Sequence, residues 1–317
     1  MFIYTLASLG IVFVTNIEVM IALRFIQGVT GGAASVISRA IASDMYKGKE
    51  LTKFLSLLML VNGVAPVIAP AIGGIILSFA VWRMVFIILT VFGILMVIGS
   101  LTKVPESLQE DEKDSNGIKE MFKNFKHLLA TPKFVLPMLI QGFSFIMLFT
   151  YISASPFIIQ KIYGMSALQF SIMFAAIGIT LIISSQLVGV LVDRIERRQL
   201  LKIVTYIQVL GVVIVAMTLL NHLSFWILVI GFIVLVAPVT AVASLGFSIA
   251  MVESTKGRGS ASSLLGLVQF LLGGLMSSLV NVMGEHNVTP YVVIISITAV
   301  IMIILQTIYT RLQRRTS

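Results

Sequence analysis

The chain has 317 residues, of which 58% are apolar and 11% charged, with no cysteine and a formal net charge of +9. An average soluble domain carries about 25% charged residues, so this composition indicates a protein that is largely embedded in a membrane. The lack of cysteine excludes a disulfide framework, thiolate chemistry and a cysteine-based metal site. The three histidines, at 127, 222 and 286, have no ligand-spaced partners, and they predict no metal centre.

Apolar stretches of membrane-spanning length follow one another along most of the chain. A bilayer core of about 30 Å requires about 20 residues of helix, and hydrocarbon excludes open backbone structure. The sequence therefore predicts an all-α polytopic membrane protein. We place ten transmembrane helices at about 1–15, 17–43, 50–78, 81–101, 134–160, 167–192, 199–220, 223–251, 258–284 and 288–310. The first stretch is short, and we expect it to be the last part of a longer helix.

Lysine and arginine crowd into alternate gaps between these spans. Of the 22 basic residues, 18 lie at 47–53, 103–133, 194–202, 256–258 and 311–315. The opposite gaps hold only Arg83 and Lys161, and Arg24 and Arg39 fall inside a span. By the positive-inside rule the first set of gaps is cytoplasmic, which places both termini in the cytoplasm. The positive charge thus reflects topology and contact with anionic lipid, and its spread over five loops argues against a nucleic-acid partner.

The longest polar stretch divides the chain into two helical parts. We predict the remainder of an N-terminal half with four spans at 1–101, a cytoplasmic charged linker at 102–133, and a six-helix half at 134–317. The linker ends in an amphipathic basic run that predicts a helix on the membrane surface. Transporters are often built from repeated halves, and four spans against six lead us to expect two further helices before Met1.

The second span contains a charge inside an apolar helix. Arg24, Gln27 and Gly28 fall on one face at helical spacing. Arg24 lies roughly 10 Å deep at the helical rise, where a charge costs about 3 kcal/mol on insertion scales. We therefore expect the guanidinium to face the bundle or a wet cavity. The alternative is that the side chain extends outward to the membrane surface.

The third span carries prolines and glycines at spacings of three and four. Gly63, Pro66, Pro70 and Gly73, followed by Gly74, place missing N–H groups and missing side chains on one face. Each proline frees a carbonyl and bends the helix, while the glycines permit close packing. The face predicts a hinge or a tightly packed seam, and an ordinary kinked packing helix is the alternative.

The fifth span has a sparsely polar face. Gln141, Tyr151 and Ser155 share this face, Pro156 follows, and Phe270 in the ninth span is a further aromatic candidate. Such a mostly apolar lining with few polar groups is typical of a drug-sized pocket. An equally good interpretation is that these groups bond neighbouring helices.

The loop after the sixth span is rich in charge. It contains Gly189, Asp193, Arg194, Arg197 and Arg198. The carboxylate can accept charge-assisted hydrogen bonds from neighbouring helix ends, and the arginines can meet an anionic leaflet. An ordinary basic cytoplasmic loop would have the same composition.

These patterns resemble motifs of the major facilitator superfamily. The charged loop resembles its signature G-x-L-a-D-r-x-G-r-k-x-x-l, with Glu196 in place of the usual glycine. The second span resembles the R-x-x-Q-G motif of the drug:proton antiporters. The third resembles their motif g-x8-g-x3-G-P-x2-G-G, with Ser56, Ala65 and Ala69 where glycines are usual. Its form N-G-x-A-P-x-x-A-P-x-x-G-G, like the segment around Ser155 in the fifth span, resembles the Bcr/CflA (bicyclomycin-resistance) subgroup.

The resemblance implies a bundle of about twelve helices, of which ten are visible, that exports drugs or small metabolites in exchange for protons by alternating access. It implies that Arg24 with Gln27 and Gly28 tunes proton transfer, that the proline face acts as a hinge, and that the charged loop acts as a cytoplasmic latch. The subgroup's proton-carrying acid lies in its first helix and matches no position here. A non-transporting truncated membrane fragment of such an exporter is the alternative.

Other function classes lack the residues they need. No nucleophile, base and oxyanion set converges and no phosphate-binding loop occurs, so the sequence predicts neither an enzyme nor an ATP-driven pump. We expect no cofactor and no metal. The expected partners are a small drug-like or metabolite substrate, protons and membrane lipid, and the expected location is the cytoplasmic membrane, as a monomer.

The charge pattern yields a topology prediction. Single cysteines placed in this cysteine-free chain at Lys113 and Arg198 should be shielded in intact cells from an impermeant thiol reagent, because both loops are cytoplasmic. A cysteine at Asn287 should react. Labelling of position 113 from outside the cell would reverse the predicted orientation.

Overall fold

The computed structural model of the chain describes residues 1–45, 69, 72–77, 79–103, 117–252, 258–280 and 287–314. These residues contain no β-strand and are almost entirely helical. Residues 72–77 are helical within the predicted third span. We number the longer α-helices α1 (Phe2–Phe13), α2 (Ile17–Met45), α3 (Arg83–Lys103), α4 (Gly117–Leu129), α5 (Pro132–Pro156), α6 (Ala167–Leu191), α7 (Arg197–Leu220), α8 (Phe225–Val236), α9 (Pro238–Val252), α10 (Arg258–Leu279) and α11 (Thr289–Arg314).

Eight of the described helical segments are long and apolar enough to cross a membrane. They coincide with the predicted second span and with the fourth to tenth, which confirms the predicted all-α membrane fold. Helix α1 is shorter, at 12 residues. The predicted third span, 50–78, lies mostly outside the described residues.

The predicted eighth span, 223–251, is confirmed as a membrane-crossing segment, and the structure adds a break within it. One membrane-crossing segment, Phe225–Val252, is built from α8 and α9. The break falls at Ala237 because Pro238 has no N–H to donate to the carbonyl four residues earlier. Pro238 then begins α9 at a position where a missing N–H has no cost.

A second proline changes the end of the fifth span. Pro156 ends α5, and residues Phe157–Ile162 continue as a wider π-helical turn. The backbone N–H of Tyr163 donates to the Ile158 carbonyl at 3.2 Å, five residues back. Gly164, with a φ of 67°, then reverses the chain toward α6.

The described chain divides into two compact units, Met1–Asp114 and Ser115–Ser317. In the first unit, α1 packs against both α2 and α3. The contact with α3 is close, since a Cβ added at Gly93 would collide with the side chain of Thr5. Arg83 stabilises the end of α1 by donating from Nε to the Val12 carbonyl at 3.1 Å and from Nη2 to the Val14 carbonyl at 3.2 Å. A cation at a helix C-terminus also opposes the helix dipole favourably.

In the second unit, α5 packs against α9, α10 and α11. Small residues allow the close approach: a Cβ at Gly142 would lie 2.9 Å from a Leu272 methyl carbon, and one at Gly273 would lie 2.8 Å from the Phe149 ring. Lipid is as apolar as leucine, so helix association in a membrane depends on such van der Waals contact. The glycines therefore fix which faces of α5 and α10 meet.

The predicted surface helix is α4. Its apolar side is partly covered, because Leu128 is buried beside Phe134 and Met138 of α5, with Phe125 packed at the edge of this cluster. Phe122 remains exposed. One side of α4 thus packs against other helices of the second unit.

Gly211 gives a test of this packing. A Cβ there would lie 2.5 Å from the Leu235 Cα atom on α8, so Gly211→Ala should force α7 and α8 apart and cost about 1–3 kcal/mol of stability. Thermal unfolding in detergent measures the loss. The control is Gly274→Ala in α10, where an added Cβ has no neighbour within 4 Å. That change should be neutral or stabilising by up to about 1 kcal/mol, and equal destabilisation by both variants would contradict the packing argument.

Candidate functional site

Arg24 is held by groups of the first unit. Its Nη1 donates to Gln27 Oε1 at 3.1 Å, and its guanidinium carbon lies 4.5 Å from the centre of the Phe86 ring on α3. A cation over an aromatic face is attracted by the ring quadrupole. The arginine has five N–H donors, so most of them remain for a further partner. The side chain is also exposed.

Gln27 links this arginine to α1. Gln27 Nε2 donates to Ser8 Oγ at 2.8 Å, and Ser8 Oγ donates to the Tyr4 carbonyl at 2.8 Å. Ser8 is fully buried and Gln27 nearly so. The amide can accept from Arg24 and donate to Ser8 at once, so the chain of bonds sets the orientation of the Gln27 side chain.

Several other predicted residues stand apart from this network. Gly28 is exposed, and an added Cβ there would have no neighbour within 4 Å. Gly73 and Gly74 lie in the helical residues 72–77. Gly63, Pro66 and Pro70 lie outside the described residues, so the geometry of the proline face stays a prediction.

Two hydrogen-bonded pairs of polar side chains join helices in the interior of the second unit. Gln141 Nε2 donates to Gln269 Oε1 at 2.6 Å and joins α5 to α10. Ser144 Oγ donates to Gln208 Oε1 at 2.8 Å and joins α5 to α7. Gln141, Ser144 and Gln208 are buried. Each therefore bonds a neighbouring helix.

Tyr151 and Ser155 are buried to the same extent, at 2% and 0% exposure. The Tyr151 ring stacks on Phe174 at 5.5 Å and meets the edge of Phe232 at 4.9 Å. Its hydroxyl faces Ser155 and Tyr291, yet none of these three hydroxyls forms a well-aligned hydrogen bond within the part of the chain that the structure describes. Pro156 ends α5 directly after them. These positions belong to the packed interior of the unit.

Phe270 lies on an accessible surface, with 58% exposure. Its ring contacts Phe145 and Phe149 of α5, each with centroids 6.1 Å away. We call these three residues together with Gln269 the α5/α10 aromatic face. Sequence reasoning missed Phe145, Phe149 and Gln269, because their spacing from Gln141 and Phe270 across two helices is visible only in three dimensions.

The charged loop connects α6 to α7. Arg197 Nη1 donates to Ser248 Oγ of α9 at 3.0 Å, whereas Arg198 Nε lies 3.8 Å from Glu196 Oε1 in an exposed ion pair. Gly189, Asp193 and Arg194 are exposed. Among the described residues the Asp193 carboxylate has no hydrogen-bond or ion-pair partner, so its bonds to neighbouring helix ends stay a prediction.

The connection between α5 and α6 contains one phenol with a shifted pKa. Tyr163, between the π turn and α6, donates its hydroxyl to the Leu223 carbonyl at 3.1 Å. A phenol is already protonated at neutral pH and can donate there, and partial burial raises the pKa of Tyr163 further. Among the residues that the structure describes, no three His, Asp or Glu side chains are grouped to hold a metal ion.

Comparison with known proteins gives concordant matches. Residues 1–278 match the Major Facilitator Superfamily. The chain is 34% identical over 302 residues to an uncharacterized MFS-type transporter, YdgK, of Bacillus subtilis, covering 95% of this chain and 75% of that protein. It is 30% identical over 285 residues to a bicyclomycin resistance protein homolog of Haemophilus influenzae, covering 90% of this chain and 72% of that protein.

A solved structure agrees at the level of the fold. The nucleoside transporter NupG superposes with a TM-score of 0.66 at 16% identity, covering 98% of this chain and 80% of that one. At this identity the likeness concerns the fold alone.

Tyr151 tests the placement of the polar residues of α5. Because its buried hydroxyl has no hydrogen-bond partner, Tyr151→Phe should change stability by less than about 1 kcal/mol, or raise it. Tyr163→Phe is the matched control, since it removes a hydroxyl that bonds the Leu223 carbonyl, and it should cost about 1 kcal/mol. Thermal unfolding midpoints compare the two, and a larger loss for Tyr151→Phe would contradict the described interior.

Proposed function

Since the chain belongs to the major facilitator superfamily of membrane transporters, we propose that it is a secondary active exporter of drugs or small metabolites. Transport of a small molecule, rather than enzyme catalysis, is what this family does, and the ten-span pattern accords with it. The finer assignment to proton-coupled export of the Bcr/CflA type rests on the 30% identity to a bicyclomycin resistance protein homolog and on the arrangement of Arg24. Export would proceed across the cytoplasmic membrane.

The observation that carries the proposal is the anchored guanidinium of Arg24. A charged group in an apolar helix is costly and marks a functional position by default. Here the side chain is held against Gln27 and Phe86, which favours the bundle-facing interpretation over extension to the membrane surface. Because the side chain is also exposed, its remaining donors are accessible to a carboxylate or a polar substrate.

Arg24 acts electrostatically in this mechanism. A guanidinium does not lose its proton in proteins, so it cannot itself carry the coupled proton. It lowers the proton affinity of a carboxyl group that approaches it, because a nearby positive charge favours the ionised form. A proton bound in one state of the transporter is thereby released in the other, with Gln27 and Gly28 giving the partner room and orientation.

We assign substrate contact to the α5/α10 aromatic face. Three rings offer stacking surface to a planar molecule, and the Gln269 amide beside them offers a donor and an acceptor. Gln141 supports this face by fixing Gln269. The substrate chemistry that fits is a flat, amphipathic molecule with amide-like polar groups.

In an alternating-access mechanism the remaining motifs would have separate roles. The parts 1–101 and 134–317, joined by the linker 102–133, would rock about a midplane site. The proline face of the third span would provide the hinge. The α6–α7 loop would act as the latch, with the exposed Asp193 free to engage a helix end in the opposite state.

Substitution of Arg24 tests the function. Arg24→Ala and Arg24→Lys should each lower efflux of a fluorescent drug by at least about tenfold, equivalent to about 1.4 kcal/mol, while membrane abundance stays near that of the wild type. Lysine should fail because a compact ammonium cannot bind Gln27 and cover the Phe86 ring as a planar fork does. Efflux and abundance are measured in the same cells.

Arg83 provides the matched control for this experiment. Arg83→Ala removes two hydrogen bonds from the end of α1, so it should lower abundance while each remaining molecule transports normally. Full activity of Arg24→Ala would remove this residue from the mechanism. A silent Arg24→Lys with reduced abundance of Arg24→Ala would instead support extension to the membrane surface.

A further inference from the structure

An open pocket of about 410 Å³ lies between the end of α6, the start of α7 and α9. Its polar lining consists of Ser185, Arg197, Ser244 and Ser248, and the rest is aliphatic apart from Gly189. It belongs wholly to the second unit and shares no lining residue with the α5/α10 aromatic face. The proposed latch includes Gly189 and Arg197, but it gives the cavity itself no ligand.

The hydrogen bonds in the pocket leave donors available. Ser248 Oγ accepts from Arg197 Nη1 at 3.0 Å. Its own hydrogen and the other guanidinium N–H groups have no acceptor among the residues that the structure describes. Among the described residues the Ser185 hydroxyl has no hydrogen-bond partner, while Ser244 donates to the Thr240 carbonyl at 2.9 Å. An arginine fork beside hydroxyl donors is a setting that matches an anion with several oxygens, above all phosphate.

The surrounding charge favours such an anion. Between residues 193 and 202 the chain has the four basic residues Arg194, Arg197, Arg198 and Lys202 against the two acids Asp193 and Glu196. Glu196 is paired with Arg198, which does not line the pocket. Within the described part of the chain, the arginine that faces the pocket is therefore the one whose guanidinium is bound only to a neutral hydroxyl.

The position and the apolar wall indicate where the phosphate comes from. The pocket lies at the last turns of α6, whose membrane-crossing segment ends at Leu191, and Val188, Val192 and Leu245 line it. A free phosphate ion gains nothing from aliphatic contact, whereas the glycerol and upper acyl carbons of a lipid do. We propose that this pocket binds the phosphate of an anionic membrane lipid, with Arg197 as its main contact.

The experiment compares two neighbouring arginines. Native mass spectrometry of the purified protein measures binding of phosphatidylglycerol, with phosphatidylcholine as the reference lipid. Arg197→Gln should weaken phosphatidylglycerol binding by about tenfold, because one charge-assisted contact is lost. Arg198→Gln removes the same charge from an exposed ion pair outside the pocket and should change binding by less than about twofold.

A second variant tests the pocket without altering charge. An added Cβ at Gly189 meets no atom within 4 Å, so Gly189→Leu should fold normally and fill the pocket, lowering lipid binding as Arg197→Gln does. Equal loss in Arg197→Gln and Arg198→Gln, or unchanged binding in Gly189→Leu, would overturn the proposed site. Inorganic phosphate is tested as a competitor at millimolar concentration. Failure to displace the lipid supports a lipid ligand, whereas Arg197-dependent displacement would overturn the lipid as the source and leave free phosphate.

Discussion

The absence of water in hydrocarbon is the constraint on which this structure depends. Each backbone N–H and C=O within a span must find a partner inside the protein, so the described residues are helical almost throughout. Polar side chains obey the same rule locally. Thr90, Thr150 and Thr205 each return their hydroxyl to the carbonyl four residues earlier, at 2.7–2.8 Å. A residue that departs from this pattern therefore needs another explanation, and Arg24 is the clearest case.

The same constraint explains how the helices meet. Since burial from lipid gains little hydrophobic energy, close contact must come from small residues and from a few polar bonds. Gly142 and Gly273 bring α5 against α10, and the Gln141–Gln269 bond joins the same pair. The glycines thereby place Phe145, Phe149 and Phe270 side by side on one accessible surface. The candidate substrate surface is thus a consequence of packing.

The spans could be predicted from the sequence because hydrocarbon thickness sets their length. The resemblance of Arg24 and Gln27 to a known motif pointed to the residues that form the hydrogen-bonded chain with Ser8. The break at Ala237 was missed, although Pro238 is visible, because a proline in a membrane helix can also produce a bend without a break. It was harder to predict which face of each helix contacts lipid and which contacts protein. Apolar side chains line both lipid and protein contacts, so Phe149, in the α5/α10 aromatic face, and Ile146, in the interior, look alike in the sequence.

The contacts of polar residues could also be predicted only in part, because their partners lie on other helices. Gln141 and Tyr151 share a sequence face, yet Gln141 bonds α10 whereas the Tyr151 hydroxyl is enclosed among aromatic rings. What each of them contacts depends on the neighbours Phe174, Phe232 and Gln269, which come from other helices. Arg197 and Arg198 differ in the same way, because only Arg197 meets the helix α9 that completes its pocket.

The central claim is that export is coupled to inward movement of protons, and the most direct test is a measurement of both fluxes. In proteoliposomes with a trapped pH indicator, addition of an exported drug should move protons in the direction opposite to the drug. Collapse of the pH gradient with an ionophore should stop accumulation of the drug against its gradient. Accumulation that continues at an unchanged rate without the pH gradient, with no proton flux on drug addition, would contradict the account.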